Sequence, residues 1–149
     1  MKNNLFKIAV GALILKGDKI LLHHRTDYDM WDLPSGGMEA SETIYEALVR
    51  EVKEETGLKV KPLRLAGVYH NFGRKVINFM FLVKVLSGKL TLNAEANQFC
   101  YFHYKKLPAN FPQKQKERIL LYFKDKKTVT VKTQKSENSI KKLGLKKLG

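Results

Sequence analysis

The sequence predicts an α+β fold, and three observations predict it. Apolar runs of strand length, rich in β-branched and aromatic residues, recur along most of the chain. One long helix-patterned segment interrupts them at residues 41–56, and a shorter one follows the last run at 113–124. No internal repeat is visible. At 149 residues the chain is long enough to close one hydrophobic core, and the pattern places a single domain at residues 4–125, followed by a basic extension at 126–149.

Taken in order, residues 5–15 form an apolar run, Lys16-Gly17-Asp18-Lys19 turns the chain, and residues 20–25 return, which reads as two strands joined by a tight hairpin. Residues 26–40 carry Asp27, Asp29, Pro34 and the small trio Ser35-Gly36-Gly37, the composition of a loop. Ser41 is placed to cap the helix, with Glu42 in its first turn where negative charge suits the dipole, and Gly57 stops it. Residues 59–69, 76–86 and 99–104 are further strands, Pro108 and Pro112 bracket a loop, and Ile119, Leu120 and Phe123 give residues 113–124 an apolar face.

Composition narrows the setting. The net charge of +14 divides evenly, with +7 on residues 1–125 and +7 on the lysine-rich residues 126–149. A basic body attracts polyanions without identifying them. The terminal segment, poor in aromatics, reads as disordered and solvated, although Ile140 onward has the pattern of a short amphipathic helix for an anionic surface. Cys100 is the single cysteine, so no intrachain disulfide can form, and it reads as a packed thiol. Nothing resembles a signal peptide or a membrane span, and a cytoplasmic protein is expected.

The acids on helix 41–56 fall where acids are costly. At about 100° per residue, Ile44, Ala47 and Leu48 define an apolar stripe, and Glu51, Glu54 and Glu55 lie within about 60° of Glu51 along its continuation. Carboxylates within one turn repel each other, oppose the dipole at a helix C-terminus, and cost several kcal/mol each if buried unpaired. A hard divalent cation with oxygen ligands relieves all of this. The alternative is a helix end that projects past the core with its acids solvated.

The spacing discriminates further. Gly36, Glu42 and the run Arg50-Glu51-Val52-Lys53-Glu54-Glu55-Thr56-Gly57-Leu58 match the Nudix box at every defined position, a coincidence with a chance probability on the order of 10⁻⁷ at ordinary residue frequencies. Trp31-Asp32-Leu33-Pro34 before the box and residues 99–108 after it resemble the family's flanks, so the chain resembles the MutT-like Nudix hydrolases over nearly all of residues 5–124. Two features depart from the pattern: Ser35 and Ser41 stand where many relatives have glycine, and Gln98 stands where some have a second downstream acid.

The resemblance implies an α/β/α sandwich with a mixed sheet between helices. It implies Mg²⁺, with Mn²⁺ an alternative, held by Glu51, Glu54, Glu55 and the carbonyl of Gly36, while Glu42, Arg50 and Gly57 orient and shape the box. The implied reaction is hydrolysis of a phosphoanhydride bond in a nucleoside diphosphate derivative, either a nucleoside triphosphate or a nucleoside diphosphate sugar such as ADP-ribose. The proton acceptor is left open among Glu54, Glu55 and Glu95, the last also readable as a solvated loop acid. Arg25, Trp31 and Tyr69 are candidates for substrate contact beside ordinary packing roles, as are His70 and Phe72 for stacking on a base. His23 and His24 lack a partner at metal-ligand spacing. Gly73 stands where proline often marks ADP-ribose specificity.

Two further functions follow from other features. The basic body and tail suit an RNA 5′-end pyrophosphohydrolase, a reading weakened by the lack of interleaved aromatics. A non-catalytic nucleotide-sensing module would carry a degenerate box, and this box is complete. The substrate is expected to be a small nucleotide; oligomeric state is not legible from the sequence.

Overall fold

The computed structural model describes residues 3–135 and 139–148. Strands β1 (Lys7–Leu13), β2 (Leu15–Lys16), β3 (Lys19–Arg25), β4 (Trp31–Asp32) and β5 (Ser35–Gly37) precede helix α1 (Ile44–Thr56). Then come β6 (Leu58–Asn71), β7 (Val76–Gly88), β8 (Ala96–His103), α2 (Gln113–Lys124), β9 (Thr130–Gln134) and α3 (Ser139–Lys142). A mixed sheet runs β5-β1-β7-β6-β9, with β1 parallel to β7 and β6 antiparallel to β7. A smaller antiparallel sheet pairs β3 with β2, β4 and β8.

Period-2 alternation sends side chains to two separate apolar layers. Val10, Ala12, Ile14, Leu21, Phe81 and Val83 pack with Ala47, Leu48 and Val52 of α1. Leu13, Ile20, Leu22, Met80 and Tyr69 pack on the other side with Ile119 and Tyr122 of α2, together with Trp31, Leu33 and Phe111. Helix on sheet on helix is the expected α/β/α sandwich.

Several elements differ from the sequence reading. The first hairpin is only two residue pairs long, Leu15↔Ile20 and Lys16↔Lys19. β1 instead joins the larger sheet, because its neighbours on both sides there, β5 and β7, bury it more completely than β3 alone would. The loop at 26–40 contains β4 and β5, too short for any periodicity to show. Helix α1 starts at Ile44, and its cap is Thr43, whose hydroxyl accepts from Glu46 N at 3.1 Å. Ser41 is displaced from that role because Glu42 is drawn out of the helix by Arg50.

The extension at 126–149 is not a wholly loose tail. Its residues 130–134 form β9, parallel to β6 from Gly67↔Thr130 to Asn71↔Gln134, where the β-branched Thr130, Val131 and Thr133 suit a strand. Farther on, Tyr28 and Lys147 form an isolated antiparallel bridge, and Leu148 N donates to Asp27 O at 2.6 Å. Residues 136–138 and 149 of that extension lie outside the described residues. Among the described residues, no helix is long and apolar enough to cross a membrane.

Candidate active site

The loop of β5 and the C-terminal half of α1 face each other across a close approach that needs a glycine. A Cβ on Gly36 would overlap the Glu51 carboxylate, so only a bare backbone lets the two approach. Arg50 fixes the arrangement. Its Nε and Nη2 donate to the two oxygens of Glu42 at 2.9 and 2.6 Å, Nη2 also reaches Gly37 O at 3.0 Å, and Nη1 reaches Glu51 Oε1 at 2.9 Å and Glu54 Oε2 at 3.4 Å. The planar fork holds three acids and the loop backbone at once, which a point charge cannot do. The Arg50 guanidinium holds the Glu42 carboxyl down to about 2.

Helix α1 ends where Gly57 takes φ 83°, its N–H bonding Lys53 O at 2.9 Å. A Cβ there would meet Lys89 O at 2.5 Å, so the stop and the packing of the 89–91 turn both require glycine. Asn93 continues that turn. Its Nδ2 donates to Glu55 O at 2.8 Å and its Oδ1 accepts from Glu95 N at 2.8 Å, which ties the Glu95 loop to the helix end.

A cavity of about 680 Å³ opens at this junction, lined by Lys7, His23, Arg25, Asp27, Asp32, Ser35, Gly36, Glu55 and Glu95 among others. Glu55 is its most unusual member, only 7% exposed, with Ser35 N donating to Oε2 at 2.9 Å. Burial first, then the charges of Asp32, Glu51 and Glu95, push its pKa up to about 9. Glu51 is shifted upward as well, by burial against the pull of Arg50. His23 Nδ1 is buried without a hydrogen-bond partner, 3.8 Å from Glu55 Oε2, and burial lowers its pKa.

The cations of the cavity are partly committed. Arg25 forms a fork with Asp27, at 2.7 and 2.6 Å, and reaches Asp32 at 3.5 Å. That hydrogen bond pulls the Asp27 carboxyl below its usual range. Asp32 also accepts from Gln115 Nε2 at 2.5 Å, while Gln115 Oε1 takes Leu33 N at 3.0 Å, so α2 holds the far wall in place.

Of the residues singled out from the sequence, Gly36, Glu55, Glu95 and Arg25 line the cavity, and Glu51 lies against Gly36. Glu54 does not. Its side chain is 52% exposed and meets the cluster only through Arg50, because the buried stripe of α1 runs through Ala47, Leu48, Val52, Glu55 and Thr56 and leaves Glu54 at the edge. Trp31 and Tyr69 are core residues and stand apart from the cavity. Trp31 packs edge-on against Phe102 with ring centroids 4.9 Å apart, and Tyr69 lies under Arg118. His70 and Phe72 sit at the far end of β6, beside each other and away from the cavity lining.

The sequence reading missed Lys7, Asp27 and Asp32 and gave His23 no partner. One signal was present: alternation along β3 puts His23 and Arg25 on one face. His24 faces the other way, bonded to Asp29 and Asn97, both at 2.9 Å.

The donor set suits a hard divalent ion. Carboxylate oxygens of Glu51, Glu55, Glu95 and Asp32 gather around one cavity, and the burial of Glu55 and the charges around it call for a compensating cation. As the side chains stand, no three of the His, Cys, Asp and Glu residues described converge closely enough to hold one. Arg50 engages one oxygen of Glu51, Oε1, at 2.9 Å.

Residues 5–123 match the NUDIX domain. An ADP-ribose pyrophosphatase of Methanocaldococcus jannaschii is 39% identical over 108 residues, covering 68% of this chain and 64% of the archaeal protein. A MutT-like protein of Streptomyces ambofaciens is 33% identical over 93 residues, covering 62% and 60%. The chain thus spans less than two thirds of the length of these relatives. Among solved structures, the MutT protein from Methanosarcina mazei Go1 superposes with a TM-score of 0.74 at 26% identity, covering 86% of this chain and 100% of that one. The ADP-ribose pyrophosphatase from Streptococcus suis 89-1591 gives 0.69 at 26% identity, covering 86% and 98%. Because the domain match runs from the start of β1 into the last turn of α2, and so takes in both walls of the cavity, the chain belongs to the Nudix family.

Proposed function

We propose that the chain is a divalent-metal-dependent pyrophosphohydrolase that cuts a phosphoanhydride bond in a small nucleoside diphosphate derivative. The observation that carries this reading is Glu55, a nearly buried carboxylate beside Glu51, Glu95 and Asp32 on a cavity that also holds Lys7 and Arg25. Such an arrangement opposes folding unless something positive enters, and a relative named as an ADP-ribose pyrophosphatase supports a nucleoside diphosphate derivative as the substrate.

Gly36 through its carbonyl, Glu51 and Glu55 would hold the ion, with Glu54 at the rim. When bound, a divalent ion neutralises diphosphate oxygens and lowers the pKa of a coordinated water. Lys7 and Arg25 are placed to attract the substrate's anionic groups from the cavity wall. Glu95, tethered through Asn93 to the end of α1, is placed to accept the proton of the attacking water, and Arg50 keeps Glu51 in orientation. Mg²⁺ is the expected metal and Mn²⁺ the alternative.

The test is release of phosphate or nucleotide across nucleoside triphosphates, oxidised nucleotides, ADP-ribose and dinucleoside polyphosphates. Each is run with Mg²⁺, with chelator and with Glu55→Gln. Metal-dependent turnover that the variant lacks supports the hydrolase. Tight nucleotide binding without turnover of any substrate refutes it in favour of a sensing module.

One observation favours a second reading, an RNA 5′-end pyrophosphohydrolase. The lysine-rich C-terminal segment runs against the loop of Asp27 and Tyr28 at the cavity rim. Triphosphorylated RNA belongs in the same panel, with residues 139–149 removed as the contrast. Turnover of RNA that falls steeply with salt and with the truncation favours this reading; insensitivity to both removes it.

A further inference from the structure

Outside the catalytic cavity, buried cations gather where α2 meets β9. Lys114 is 8% exposed and Arg118 6%, an uncommon state for charged side chains. Arg118 is held by neutral partners. Its Nε donates to Gln134 Oε1 at 3.0 Å, its Nη2 to Asn71 Oδ1 at 3.3 Å, and its guanidinium carbon lies 5.0 Å from the Tyr69 ring centroid. The Lys114 carbonyl accepts from Gln134 Nε2 at 3.0 Å, but among the described residues no hydrogen bond or ion pair engages its ammonium. Burial lowers the pKa of Lys114, and the charges of Arg74 and Arg118 lower it further.

The acid of this corner, Glu117, is already taken by Lys132 at 3.2 Å and by Gln134 Nε2 at 3.2 Å. A cavity of about 140 Å³ lies here, lined by Lys114, Lys132, Lys135 and Glu117 with Gln113, Thr133 and Gln134. Its lining shares no residue with the catalytic cavity and carries a net charge of +2 before Arg74 and Arg118 are considered. Helix α2 also begins bare: Pro112 provides no side-chain cap and the first turn has no acid, so its N–H groups and positive dipole end face this corner uncompensated. At about 30 Å³ per water, the cavity has room for four or five waters. That accommodates a tetrahedral oxyanion.

We propose that the corner between α2 and β9 binds a phosphoryl group, held by Lys114 and the first turn of α2 in the field of Arg74 and Arg118. A doubly charged phosphoryl group suits a lining that carries Lys114, Lys132 and Lys135 beside Arg74 and Arg118 better than a singly charged carboxylate does. The group comes either from free inorganic phosphate or from the phosphate of a larger molecule whose remainder lies outside the cavity.

The experiment titrates the ¹⁵N-labelled full chain, in chelator, with inorganic phosphate and separately with AMP, following backbone amide shifts and melting temperature. Saturable shifts at Gln113, Lys114 and Gln115, with a rise in melting temperature, are expected for wild type. Both should weaken at least tenfold in Lys114→Met, which loses a buried charge and should melt no lower than wild type. Equal responses to the two probes identify the phosphoryl group itself as the ligand, and a response to phosphate alone identifies the free ion. Should Lys114→Met fail to fold, Arg74→Gln, at an exposed turn position, should lower the affinity about threefold. The proposal is overturned if wild type shows no saturable shift in α2, if the shifts appear only around Gly36 and Glu95, or if the variant binds as wild type does.

Discussion

Replacing Glu55 with glutamine should make the metal-free protein more stable while it removes the proposed activity. In the folded chain the Glu55 carboxyl sits at about 9 against an ordinary 4.5. A carboxyl raised on folding takes up a proton between those two values, so stability is undiminished below about 4.5 and declines as pH rises towards about 9. At pH 7 the gap to the ordinary value, at about 1.4 kcal/mol per unit, costs about 3 kcal/mol. Glutamine keeps an oxygen to accept from Ser35 N and carries no charge, so that cost disappears. For a chain of this size about 3 kcal/mol corresponds to a rise of roughly 6–12 °C in melting temperature.

The assay is thermal melting of wild type and Glu55→Gln in chelator from pH 4.5 to pH 8, beside turnover with Mg²⁺. The two melting temperatures should coincide near pH 4.5 and separate steadily above it, the variant higher. Turnover should drop by at least a hundredfold. Added Mg²⁺ should raise the melting temperature of wild type alone. A variant that melts below wild type at pH 7 in chelator would refute the reasoning, since it would mean that the Glu55 charge is already compensated within the fold.

Gly36→Ala should weaken Mg²⁺ binding at least tenfold in a calorimetric titration with little change in urea unfolding, because its methyl takes the place of the Glu51 carboxylate, the far end of a flexible side chain that can swing aside. Arg50→Lys should reduce kcat/KM at least tenfold, since one ammonium cannot serve Glu42, Glu51 and Gly37 O together. Glu42 is held at about 2 by that fork. Its stabilising contribution is therefore present above about 4.5 and lost as pH falls towards about 2, so wild type and Arg50→Lys should converge in melting temperature across that window. Leu48→Ala, at a fully buried position under α1, should cost about 2–5 kcal/mol in denaturant unfolding with the box otherwise intact.

The box was legible because its chemistry is local. Glu42, Arg50, Glu51 and Glu55 lie within one stretch of sequence, and their spacing alone states which side chains meet across a helix and its preceding loop. The same periodicity misjudged Glu54 by little: the true stripe passes through Val52 and Thr56, rotating the buried face away from Glu54 and onto Glu55. What could not be read was the opposite wall. Lys7 belongs to β1, Asp27 to the loop after β3 and Asp32 to a two-residue strand, and the pairing of β1 with β5 and of β3 with β4 brings them to one cavity. No local pattern encodes that pairing, since a strand reads alike in either sheet. Trp31 and Tyr69 mark the same limit from the other side. Each has the composition of a substrate contact, and each is turned into the α2 layer by the parity of its strand, a property fixed by register and not by residue type. Strand β9 lies deepest in this class, for its lysine and threonines resemble a solvated tail until β6 offers a free edge. The box helix is thus specified by neighbours in sequence, while the surface that would choose the substrate is specified by the order of strands in the sheet. Exchanging residues within the box should therefore alter turnover, whereas changes at Lys7, Asp32 and Arg25 should alter which nucleotide is turned over.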